Sequence, residues 1–249
     1  MAHKAKKKTA AKKRTAPAKR APKPARKAKA DRTGRAAGTD SKRVSAILAK
    51  LEEAYPHATC ELKHENPFQL LVSTILSAQC TDVRVNQVAE TLYKKYPDAQ
   101  AFAYATPSEL EMEIRPTGFF RNKTKSVMGA SKAILERFGG EVPRTMQEIL
   151  TLPGVARKTG NVVLGTAYGI TSGIVVDTHV LRLSKRLDLT GNDDPKKVEQ
   201  DLMQVIPREK WIRFSHQLIW HGRRVCHARK PKCTACNLES LCYSKDKTV

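Results

Sequence analysis

The chain has 249 residues and a formal net charge of +22, from 46 Lys and Arg against 24 Asp and Glu. It contains no apolar run of bilayer length and no signal-peptide core, so a soluble chain is expected and the membrane and secreted classes are set aside. Of its six cysteines, Cys60 and Cys80 are isolated and four cluster near the C-terminus. A disulfide framework would spread them, so the pattern suggests a reducing compartment and a metal centre.

Seventeen Lys or Arg and only Asp31 and Asp40 fall in the first 43 residues. This Lys-, Ala- and Pro-rich segment, residues 1–40, has almost nothing to bury. It cannot offset its ordering entropy and is expected to be a disordered tail drawn to a polyanion. Helical signals dominate afterwards. Val44, Ile47, Leu48, Leu51 and Tyr55 recur at helical spacing behind Asp40 or Ser41 as cap. Asn66-Pro67 opens an apolar helix over Phe68 to Leu76, and Thr81 or Asp82 caps the next. Thr106-Pro107-Ser108-Glu109 and Thr145-Met146-Gln147-Glu148 read as capping boxes. Between them, the turn at Gly118 leads into a helix closed by Gly139-Gly140. Further helices start after the turn at Gly154, at Asp177-Thr178 and at Asp194-Pro195. The last long one spans Trp211 to His221 and is closed by Gly222. Residues Gly173 to Val176 could be extended, but no strand is convincing. The fold class expected is all-α.

The stretch Leu152-Pro153-Gly154-Val155-Ala156-Arg157-Lys158-Thr159 places two cations in the first turn of a helix. A helix N-terminus carries partial positive charge, so cations there cost stability unless an anion is near. Free backbone N–H groups at such a start bind phosphate. The stretch is either a phosphate cradle with a lysine beside it or a plain corner with solvated side chains. A lysine held in a partly apolar pocket beside other cations is more often neutral, hence nucleophilic. Asp177 is either only a helix cap or also a carboxylate that assists an amine by proton transfer. Cys226, Cys233, Cys236 and Cys242 follow C-x6-C-x2-C-x5-C, close enough to surround one metal centre. On spacing, zinc and a 4Fe–4S cluster are both open. The loop between the first two holds Arg229, Lys230 and Lys232, either a phosphate contact or a solvated face. Gln79 at a helix junction and Phe119 at a turn tip could be structural, or could fill and wedge a base stack.

Together, the hairpin stretch, Val176-Asp177-Thr178-His179, Leu76-Ser77-Ala78-Gln79-Cys80-Thr81-Asp82 and the 6-2-5 cysteine spacing resemble the endonuclease III family of helix-hairpin-helix DNA glycosylases. The resemblance covers about Ser41 to Lys245. It implies two helical domains with duplex DNA in the cleft between them. One is a six-helix barrel over residues 61–171, and the other joins residues 41–60 to 172–249 and holds one 4Fe–4S cluster on the four cysteines. It implies a monomeric glycosylase and AP lyase of base excision repair, cytoplasmic and nucleoid-associated. The substrates implied are duplexes with an oxidised pyrimidine or an abasic site. Lys158 would attack the sugar C1′, with Asp177 as partner, and beta-elimination would nick the strand. Gln79, Phe119, Lys123, Gly154, Ala156, Arg157, His179, Arg229, Lys230 and Lys232 would contact DNA. Ala156 stands where the hairpin pattern often has glycine, and Phe119 where the family often has a leucine-like wedge. Two other readings are a glycosylase of this fold without lyase activity, which lacks the hairpin lysine, and a DNA-binding module with a structural metal. The latter gives no reason for Lys158 and Asp177 together.

Overall fold

The computed structural model describes residue 1 and residues 38–248. The expectation for the tail therefore lies outside the described residues, apart from Gly38 to Asp40. The regular structure of the described residues is all helical, without a strand. Eleven α-helices occur in the order α1 (Ser41–Ala54), α2 (Pro67–Leu76), α3 (Asp82–Lys95), α4 (Ala99–Ala103), α5 (Pro107–Ile114), α6 (Phe120–Phe138), α7 (Met146–Ile149), α8 (Arg157–Tyr168), α9 (Thr178–Arg186), α10 (Pro195–Val205) and α11 (Trp211–Arg224).

These helices surround two apolar cores. Helices α2 to α8 enclose the first, which includes Leu70, Leu71, Leu76, Leu92, Phe102, Ile134 and Leu164. Its axis is α2, where eight of ten residues are buried because the segment PFQLLVSTIL has almost no polar face. Each fully buried Leu or Ile there contributes roughly 1.5–3 kcal/mol relative to exposure. The second core joins α1 to α9, α10 and α11 through Ile47, Leu51, Leu183, Leu202, Phe214 and Leu218. The chain thus passes from the second core to the first between Tyr55 and Leu62, and returns between Leu164 and Ile174. The return segment has no regular structure, although Gly173 to Val176 are buried and Val175 N–H donates to Ser215 Oγ at 3.1 Å.

Most helix starts are capped as their sequences dictate. Asp40, Asn66, Thr81, Asp98, Thr145, Asp177 and Asp194 each accept a first-turn N–H. The expected box at Thr106 does not form: its side chain makes no cap bond, and Glu109 turns toward Lys95 at 3.8 Å instead. Gly222 does not close the last helix but sits inside α11, which continues to Arg224. The reason is steric. A Cβ on Gly222 would lie 2.7 Å from His179 Nδ1, so the glycine admits the α9 imidazole against α11.

Candidate active site

Where the two cores meet, a cavity of about 230 Å³ opens between α2, α8, α11 and the return segment. Lys158, Asp177, Gln79 and His216 all line it. Local structure explains how the first two arrive there. Lys158 is in the first turn of α8, directly after the hairpin, and is exposed. Among the described residues no acceptor holds its ammonium. Asp177 ends the return segment and caps α9, its Oδ1 accepting from Val180 N–H at 2.7 Å. The cap reading of Asp177 therefore holds, and the same side chain lines the cavity. His179, two residues on, is half-buried. Burial lowers its pKa below the usual imidazole value, partly opposed by Asp177, and Arg182 Nη2 lies 3.2 Å from its Nδ1.

A second opening, about 220 Å³, lies beside the first and is lined by Gln79, Phe119, Ser126 and Gly154. Only four described non-glycine residues have positive φ, and Gln79 (53°), Phe119 (48°) and Lys230 (50°) are three of them. Non-glycine residues in this region carry strain, and such strain collects at functional sites. Phe119 is also 63% exposed, an unusual position for a phenyl ring. Gly154 has φ 76°, and a Cβ there would meet Ser126 Cβ at 2.4 Å, so only glycine lets the hairpin approach α6.

The hairpin leaves its helix start open. Ala156 is the N-cap of α8, with φ −98°, and makes no side-chain cap bond. Its negative φ accounts for the tolerance of alanine at this position. The first-turn N–H groups of α8 are consequently left for an outside acceptor, the situation in which helix starts bind anions. Helix α6, behind Phe119, is likewise without a side-chain cap.

Two of the residues expected to contact DNA have their cationic groups engaged inside the protein. Lys123 does not reach out to a phosphate. It is only 5% exposed, and its Nζ donates to Leu76 O at 2.8 Å and Thr117 O at 2.7 Å. The orphan carbonyl at the end of α2 needs a donor, and this lysine supplies it. Arg157 is not a free cation either. Its Nε donates to both carboxylate oxygens of Glu199, at 3.0 and 2.9 Å. Arg229, Lys230 and Lys232, by contrast, are exposed, and no acidic side chain among the described residues pairs with them.

The four clustered cysteines line one cavity together with Arg186, Pro231 and Lys232. None is in a disulfide and all are half-buried. Among the described residues no set of three or more His, Cys, Asp or Glu is arranged to hold a single metal ion. Four thiols that line one cavity are a donor set that either a zinc ion or a 4Fe–4S cluster takes. Polar groups face the sulfurs: Arg186 Nη1 donates to Cys226 Sγ at 3.1 Å, and His221 Nε2 lies 3.4 Å from Cys236 Sγ. Cys80, outside the cluster, is also half-buried.

Three cavity residues, Arg223, Glu61 and His216, escape a reading of the sequence. Arg223 lines the cavity and pairs with Glu61 and with Asp82, the latter at 2.6 Å. Thr81 takes the cap of α3, which frees Asp82 for this pair. His216 is held in the same cavity with its pKa lowered by burial. Nothing local marks these residues, because their partners lie far away in the chain.

Residues 72–208 match the HhH-GPD superfamily base excision DNA repair protein family. Endonuclease III of Synechocystis sp. is 55% identical over 210 residues, covering 84% of this chain and 96% of that protein. Endonuclease III of Bacillus subtilis is 45% identical, covering 83% and 94%. A solved non-covalent endonuclease III–DNA complex superposes with a TM-score of 0.78 at 41% identity, covering 82% of this chain and 95% of that chain. A trapped endonuclease III–DNA covalent intermediate gives the same TM-score and identity, covering 82% and 96%.

Proposed function

We infer the reaction from one premise: the chain belongs to the endonuclease III family, within the HhH-GPD superfamily of base excision DNA repair proteins. It is a DNA glycosylase and AP lyase. Among the described residues no helix is long and apolar enough to cross a membrane. Its partner is DNA, and we assign it duplexes with an oxidised pyrimidine or an abasic site, acted on by a monomer. The observation that carries the reading is that Lys158 and Asp177, nineteen positions apart, line one cavity at the junction of two cores. The cores support a division into residues 61–171 and a discontinuous unit of 41–60 and 172–249, with the duplex across the cleft.

The sugar C1′ is out of reach in a stacked duplex, so the damaged nucleotide must be extruded. The hairpin backbone from Gly154 to Ala156 holds the strand, with Arg229, Lys230 and Lys232 on neighbouring phosphates. Phe119 enters the stack as a wedge, and Gln79 and His179 border the space the base leaves. The unprotonated Lys158 amine attacks C1′. The N–C1′ bond forms as the glycosidic bond breaks, and the base leaves with a proton. Opening of the sugar ring breaks the C1′–O4′ bond and gives the Schiff base. Loss of a C2′ proton then expels the 3′ phosphate and nicks the strand. Asp177 accepts a proton from the amine and stabilises positive charge on the sugar. The cysteines Cys226, Cys233, Cys236 and Cys242 would hold one 4Fe–4S cluster, which supplies a cross-link that fixes the basic loop.

Incubation with a thymine-glycol or abasic duplex and borohydride tests this reading. A covalent protein–DNA adduct is expected, and its absence would sink the lyase assignment. A colourless protein that binds zinc stoichiometrically would reject the iron–sulfur assignment.

A further inference from the structure

The first turn of α8 holds Arg157 and Lys158, no acidic residue and no side-chain cap. Helix electrostatics requires an anion near such a start. The structure supplies one from forty-two residues away. Glu199, on α10, is buried, its side chain 8% exposed. Its two oxygens accept from Arg157 Nε, and Oε1 also accepts from Asn161 Nδ2 at 2.8 Å. Asn161 Oδ1 in turn accepts from Ser172 Oγ at 3.0 Å, and Arg157 Nη2 reaches Ser172 O at 3.4 Å. Gly173 is shaped to this carboxylate, since a Cβ there would lie 2.1 Å from Glu199 Oε1.

These contacts join three elements. Arg157 and Asn161 are on the first two turns of α8, which carry Lys158. Ser172 and Gly173 begin the return segment that ends at Asp177. Glu199 belongs to the second core. We propose that Glu199 is a positioning residue of the active site, which fixes the Lys158 turn of α8 against the segment bearing Asp177. It also occupies Arg157 internally, leaving Lys158 as the unpaired cation of that turn. Glu199 itself does not line the cavity, so its effect on the reaction passes through the two residues it aligns. Reacting groups must be held in near-attack geometry, and a displacement of about 1 Å can cost about a hundredfold in rate. The inference rests on the assignment of Lys158 as nucleophile.

The test compares wild type with Glu199→Gln, Arg157→Gln and the double variant. The rate constant for borohydride trapping is read at saturating protein on an abasic duplex. The Kd is read separately on a duplex with an uncleavable abasic analogue. Glu199→Gln is expected to trap at least about tenfold more slowly, with Kd within about threefold of wild type. The double variant, in which two neutral amides can pair, is expected to recover at least half of that loss on a logarithmic scale. A trapping rate equal to wild type overturns the proposal. So does a weakened Kd with an unchanged rate at saturation, the outcome of a merely structural or binding role. If Glu199→Gln does not fold, Arg157→Gln, at a 40% exposed side chain, carries the same comparison with the same two overturning results. Absence of an adduct from wild type itself would overturn the lyase reading and this inference with it, whereas failure of the variants alone to differ leaves that reading standing.

Discussion

Replacing Lys123 by methionine tests the structural account where it departs most from expectation. The methionine keeps most of the aliphatic stem and removes the ammonium. Leu76 O and Thr117 O then lose donors at 2.8 and 2.7 Å in a buried site. A hydrogen bond to a charged group contributes roughly 1.5–3 kcal/mol, and an unsatisfied buried carbonyl costs about 1–3 kcal/mol. Relief from burying the ammonium offsets part of this, so the expected net loss is about 2–4 kcal/mol. For a chain of this size, each kcal/mol lowers Tm by roughly 2–4 °C, giving a drop of about 4–16 °C by circular dichroism. The difference should also depend on pH. Burial holds the Lys123 pKa below its ordinary 10.5. Between the lowered value and 10.5 the unfolded chain binds a proton that the native lysine has released. Native stability from this group therefore rises with pH through that window, and the gap between wild type and Lys123→Met widens. A Tm shift under about 2 °C, together with a shallower salt dependence of DNA binding, would refute the buried-stitch reasoning and restore a phosphate contact.

Three further outcomes follow from particular geometries. Phe119→Gly should leave Tm equal or slightly higher, because it removes an exposed ring at φ 48°, while slowing lesion excision in single-turnover assays; a large loss of Tm would show the ring to be core. Gly154→Ala combines a positive φ with a Cβ 2.4 Å from Ser126, so affinity for an abasic duplex, measured by fluorescence anisotropy, should fall at least about tenfold. His216 has its pKa lowered by burial, so the unfolded chain gains a proton below pH 6.5 that the native state excludes. Its stabilising contribution is then lost as pH falls from 6.5 to the lowered value, and His216→Gln should flatten the urea-denaturation profile over that range.

Much of this architecture is legible in the amino-acid order, because it is local. Asp40, Asn66, Thr81, Asp177 and Asp194 announce their helices by capping chemistry that needs no distant partner. The hairpin and the cysteine spacing are legible for the same reason. What escapes is long-range. A lysine in a helix-opening basic run looks like a phosphate contact, and only the end of α2, 47 residues earlier, shows that Lys123 is an internal stitch. Arg157 likewise looks free until Glu199 is placed beside it from α10. The conflict of two cations at a helix start was visible in sequence, and its resolution inside the protein was not. Gly222 reads as a helix stop because glycine usually is one, whereas here the missing Cβ makes room for His179.

The central claim is that the exposed, unpaired amine of Lys158 is the nucleophile in the cavity it shares with Asp177. Mass-spectrometric mapping of the borohydride-reduced adduct tests it most directly. The account predicts a sugar remnant on Lys158 and no adduct from Lys158→Ala; a remnant on any other amine of the wild-type protein would contradict it.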